Sequence, residues 1–95
     1  MKDAVLIVDA EPVARGIVRK ILEADGYRVL DCGDPQDARK LVNEHTPHLL
    51  LTDVYLPGIS GYDLAKELTK LHPDMRVLII AGLPDDERIY NRTTG

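Results

Sequence analysis

Two aspartates, each closing an apolar run, are the residues of this chain best placed to do chemistry. Asp9 follows "AVLIV" (Ala4 to Val8), and Asp53 follows "HLLLT" (His48 to Thr52). Short apolar runs of this kind read as strands buried on both faces, which puts both carboxylates at strand tips. Either acid alone would be a solvated loop residue. Together in one cleft they repel, which raises a carboxyl pKa unless a cation neutralises them. Magnesium commonly uses one or two carboxylates together with phosphate oxygens. A cation held there screens an incoming phosphoryl group from the carboxylates, and one of them can then attack phosphorus to form an acyl phosphate.

That chemistry requires elements that bring Asp9 and Asp53 together. After Asp9, Pro12 suits a first helical position, and Val13, Ile17, Ile21 and Ala24 recur at helical spacing as one apolar stripe. Arg28 to Asp31 reads as a second strand. Asp34 can cap a second helix with Pro35 in its first turn, and Ala38, Leu41 and Val42 form its narrow inner face. His48 to Thr52 is the third strand. Ser60 can cap a third helix, with Leu64, Ala65, Leu68 and Leu71 facing inward. Arg76 to Ile80 is a fourth, wholly apolar strand after its first residue.

Strands alternating with helices predict an α/β fold, a doubly wound parallel sheet between helices. With strand order 2-1-3-4, the topological switch point lies between the first and third strands, and ligands gather outside the carboxyl ends there. These are the strands that end in Asp9 and Asp53. Past Asp53, Pro57 stiffens the loop, and Gly58 and Gly61 permit conformations and close approaches that other residues resist.

The sequence has 95 residues, enough for a single domain spanning 1–95. Its 12 basic and 16 acidic residues give a net charge of −4 with no basic cluster, which argues against nucleic acid or an anionic membrane as a direct partner. No apolar run is long enough to span a bilayer, and the start lacks a signal-peptide pattern, so a cytoplasmic location is expected. The single cysteine, Cys32, excludes an internal disulfide and reads as a packing residue. His45 and His48 have a metal-like spacing but no third ligand nearby, and read as surface residues.

"VLIVDAEPVAR" (Val5 to Arg15) and "LLLTDVYLPGISGYDL" (Leu49 to Leu64) resemble the receiver domain of bacterial response regulators. The resemblance implies a flavodoxin-like sheet and a phosphorelay role rather than an enzyme's, with at most autocatalytic phosphoryl transfer and autodephosphorylation. It implies that Asp53 accepts a phosphoryl group from a histidine kinase or phosphotransfer protein. Mg2+ would be held by Asp9, Asp53 and the backbone carbonyl of Tyr55.

The departures from the family pattern are specific. Ala10 replaces the second acid of the usual pair, which implies weak Mg2+ binding, with Glu11 a candidate to swing in. Ala81 stands at the switch position where a serine or threonine is usual. The sequence ends at Gly95, before the family's fifth strand, its lysine and its last helix. The fourth strand is then expected to be an edge, open to a homodimer or strand-swapped partner.

These departures leave an alternative, a degenerate receiver acting as a phosphorylation-independent interaction module. A phosphatase reading from Asp9-Ala10-Glu11 lacks the chain length and further acids it needs. A flavin site would require a glycine- and hydroxyl-rich anion loop where this sequence has acids and a proline.

Overall fold

In the computed structural model of the chain, residues 3–80 are described. The switch position Ala81 and the segment after it lie outside the described residues. The elements alternate as β1 (Ala4–Val8), α1 (Pro12–Ala24), β2 (Arg28–Cys32), α2 (Pro35–His45), β3 (Leu49–Asp53), α3 (Gly61–Leu71) and β4 (Arg76–Ile80). The four strands are parallel in the order β2-β1-β3-β4.

Local chemistry sets the helix starts. Pro12 and Pro35 occupy first-turn positions that need no N–H donor. Asp34 accepts the Asp37 N–H at 2.8 Å, and the Ser60 hydroxyl accepts that of Asp63 at 3.1 Å. Each cap satisfies a helical donor that would otherwise have no partner.

The chain winds one way from β1 to β2 and the other way from β1 to β3 and β4. Right-handed crossovers therefore put α1 on one face of the sheet and α2 and α3 on the other. Beneath α2 and α3 lie Leu6, Val8, Leu50, Ala38, Val42, Leu64, Ala65 and Leu68, all buried. Beneath α1 is a smaller cluster of Val5, Ile7, Val29 and Leu51, with Val18 and Leu22 packed against it. Arg39 bridges α2 to α3 through Glu67, with Nε–Oε2 at 2.5 Å and Nη2–Oε1 at 3.0 Å.

Three sequence expectations need correcting. The stripe Val13–Ile17–Ile21 is not the face α1 turns to the sheet; these residues are 68%, 56% and 62% exposed. The stripe packed against the sheet is the partly buried Val18 and Leu22, one position and so about 100° around the helix. Leu71, expected inside, is exposed in the last turn of α3, where the helix runs past the edge of the core. β4 is not buried on both faces: Val77 and Ile79 pack toward α2 and α3, while Leu78 and Ile80 are exposed. Among the described residues no helix covers that half of the α1 face.

Candidate functional site

β1 and β3 lie side by side, and Val8 pairs with Thr52. Asp9 and Asp53 are the next residues on the two strands, so their backbones stand about 5 Å apart at the carboxyl ends. Topology brings them together: the sheet reverses its winding between these strands, leaving a crevice that no crossover fills.

Asp9 is half-buried and firmly tied. Its N–H donates to the Cys32 carbonyl at 3.1 Å, extending the β1–β2 pairing by one step. Its Oδ1 accepts the Glu11 N–H at 2.9 Å. Its carbonyl accepts from Arg15 Nη1 at 2.7 Å. Burial pushes the Asp9 carboxyl above the ordinary value of 3.8, opposed by the Glu11 N–H and reinforced by the negative charge of Asp53.

Asp53 closes β3 and is buried, with 7% of its surface exposed. Its Oδ1 accepts the Tyr55 N–H at 3.3 Å. The loop behind it is pinned twice: Tyr55 forms a bridge with Ser60, and the Gly61 N–H donates to the Val54 carbonyl at 2.8 Å. Gly58 sits at φ +80, a conformation that L side chains resist. Gly61 lies hard against the acidic strand end, where a Cβ would stand 2.0 Å from the Asp53 carbonyl oxygen. The loop geometry that "LPGISG" suggests is therefore present, and it braces the Asp53 backbone.

Other expected site residues lie nearby in different states. Ala10 is exposed. Glu11 is the N-cap of α1, its Oε2 accepting the Ala14 N–H at 2.6 Å, so its carboxylate is already employed. Two contributors escaped the sequence reading. Thr52 is fully buried and donates its hydroxyl to the Asp53 carbonyl at 3.0 Å. Arg15 reaches back one turn to the Asp9 carbonyl. Neither has a motif of its own, although Arg15 lies within the quoted "VLIVDAEPVAR". Cys32 is a packing residue, its thiol pushed up to about 11 by burial. His48 Nδ1 accepts the Ala4 N–H at 3.2 Å, at the opposite end of the sheet from the acids.

Among the described residues no cluster of three or more His, Cys, Asp or Glu could hold a metal by itself. Two neighbouring carboxylates nevertheless suit magnesium, which keeps several waters and needs only one or two acids.

Fold and site together define a doubly wound α/β domain with an acidic pocket at its switch point. The chain belongs to the response regulator receiver domain family, whose description matches residues 5–92. It is 35% identical over 86 residues to the response regulator GacA of Pseudomonas aeruginosa, covering 86% of this chain and 39% of that one. It is 33% identical over 85 residues to the virulence-factor transcription regulator BvgA of Bordetella pertussis, covering 88% and 41%. The chain thus spans about two-fifths of the length of these curated relatives.

Among solved structures, a receiver domain from Clostridium thermocellum matches with a TM-score of 0.80 at 28% identity, over 98% of this chain and 76% of that one. The chemotaxis regulator CheY4 of Vibrio cholerae shares the fold, with a TM-score of 0.81 at 20% identity over 99% and 80%. The protein is a two-component receiver domain, a class that generally binds Mg2+ at its acidic pocket and interacts with histidine kinases or phosphotransfer proteins. Among the described residues no helix is long and apolar enough to cross a membrane.

Proposed function

We propose that Asp53 is the phosphoryl acceptor of this receiver domain. The observation that carries the reading is the placement of Asp53 at the carboxyl end of β3, one strand from Asp9 and braced from behind by Gly61. An Asp53 carboxylate oxygen attacks the phosphorus of a partner's phosphohistidine. The phosphorus–nitrogen bond breaks, the imidazole leaves with the electron pair, and Asp53 carries an acyl phosphate. Water later hydrolyses it, releasing inorganic phosphate. Thr52 and Gly61 fix the strand end so that the nucleophile does not drift during the approach.

Asp9, Asp53 and the Tyr55 carbonyl would hold magnesium. When bound, the ion supplies positive charge that offsets the carboxylates and the phosphoryl oxygens. Glu11 joins them only by giving up its cap on Ala14. With Ala10 in place of a second acid on the β1 side, binding is weak. The reading in which the domain works without phosphorylation rests on Ala10 and Ala81, and no described contact favours it.

The partner's docking surface is the outer stripe of α1. Val13, Ile17 and Ile21 offer an exposed apolar row on the helix that starts beside Asp9. β4, which among the described residues has no strand on its outer side, is a second contact surface for another copy of the chain.

The test is incubation with acetyl phosphate and magnesium, followed by intact mass. The wild-type chain gains one phosphoryl group and Asp53→Asn gains none. A folded wild-type chain that gains none, or an Asp53→Asn variant that still does, rejects the reading.

A further inference from the structure

Arg15 projects from the first turn and a half of α1 into a slot between the ends of β1 and β2. Its Nη1 donates to the Asp9 carbonyl at 2.7 Å, and its Nε lies 3.5 Å from Asp31 Oδ1. Both side chains are largely buried, each 23% exposed. Arg19 holds the other Asp31 oxygen at 2.6 Å, so Asp31 is itself anchored. Gly33 forms the wall of the slot. A Cβ there would stand 2.8 Å from Arg15 Nη1 and 3.7 Å from the Asp9 carbonyl oxygen. A side chain at residue 33 would therefore press on the guanidinium and shift it from its place against the Asp9 carbonyl.

Asp9 is thus held at three atoms: N–H by Cys32, carbonyl by Arg15 and Oδ1 by the Glu11 N–H. The neighbouring position, Ala10, has no carboxylate. The location of one side chain, Asp9, consequently sets the whole β1 side of the acidic pocket.

We propose that Arg15 is the positioning residue of the pocket, clamping the Asp9 backbone to Asp31 so that the Asp9 carboxylate is aimed at the site shared with Asp53. The proposal rests on Asp9 and Asp53 forming a cation site, as argued above. Positioning and charge pull in opposite directions here, which makes the proposal decidable. As a point charge, a guanidinium beside a cation site repels the cation, so its removal would tighten binding. As a clamp, its removal loosens Asp9 and weakens binding. Lysine keeps the charge but not the planar fork that spans two acceptors.

The experiment titrates the full chain with magnesium chloride alone, following backbone amide resonances by NMR, for wild type, Arg15→Lys, Arg15→Gln and Gly33→Ala. Gly33→Ala keeps every charge and only pushes a methyl group into the slot. Loss of an outer-shell positioning contact typically weakens metal binding about tenfold or more. All three variants are expected to lose about tenfold in Mg2+ affinity. A wild-type affinity in Arg15→Lys together with tighter binding in Arg15→Gln overturns the proposal.

A metal-free measurement separates this proposal from the cation reading. Exchange of the Glu11 amide, bonded to Asp9 Oδ1, should accelerate in all three variants while the Leu6 and Leu50 amides keep their rates. An unchanged Glu11 amide overturns the role of Arg15. Absence of Mg2+ binding in wild type, with accelerated Glu11 exchange in the variants, leaves the clamp standing and removes the cation site.

Discussion

Asp9 is ionised at a cost, because it gives up part of its hydration at the mouth of the crevice and faces Asp53. Its folded pKa lies above the ordinary 3.8, so between those two values the folded state binds more protons than the unfolded chain. The stability this group lends is full below 3.8 and is lost as pH rises through the folded pKa. Asp9→Asn should therefore raise the melting temperature in metal-free buffer at about pH 7, and the gain should vanish near about pH 3. A melting difference that is the same at both pH values contradicts this. Gly61 makes the opposite prediction. Gly61→Ala forces the Asp53 carbonyl to move, and overpacking of this kind costs about 1–3 kcal/mol, read as a lower urea midpoint.

At the scale of elements, α1 carries two apolar rows and packs only one of them against the sheet. Val18 and Leu22 pack on Val5, Ile7 and Val29, leaving Val13, Ile17 and Ile21 outside. Ile17→Glu should accordingly leave the melting temperature nearly unchanged. It should slow phosphoryl transfer from the cognate kinase about tenfold, the effect of losing a central apolar contact. Transfer from acetyl phosphate, which needs no docking, should be unaffected. Equal slowing of both would place Ile17 in the fold instead of at an interface. Gly16 sits beside this row with nothing within 4 Å of a Cβ built on it. Gly16→Ala should stabilise the domain by about 0.5–1 kcal/mol, measured by urea denaturation.

At the scale of the whole molecule, the described residues cover the two sides of the sheet unequally. α2 and α3 span β1 to β4 on one side, while α1 lies over β1 and β2 on the other. The register pairs Leu51 with Leu78 and Asp53 with Ile80, so Leu78 and Ile80 belong to the α1 side and stand exposed there. Among the described residues β4 has no strand on its outer side, and exposed apolar residues on such a strand invite pairing with another chain. The 95-residue chain should therefore sediment as more than a monomer at about 100 μM. The double change Leu78→Lys, Ile80→Lys should return it to a monomer with little loss of melting temperature. A monomeric wild-type chain would remove β4 as a self-association surface.

β1, β3 and β4 were legible in the sequence because each is a short, mainly apolar run, and β2 because it lies between two helices with capping signals. The helix starts were legible because prolines and capping side chains act within one turn. Together these determined the alternation of elements, and handedness rules then predicted that Asp9 and Asp53 meet. Tertiary structure alone decided which row of α1 packs against the sheet. Two rows one residue apart are equally periodic, and only the positions of β1 and β2 choose between them. It also decided that Asp31 on β2 and Gly33 just after it flank Arg15 where it meets Asp9. Periodicity is a property of neighbours along the chain. These contacts join residues brought together by the closing of the sheet, and no local pattern encodes them.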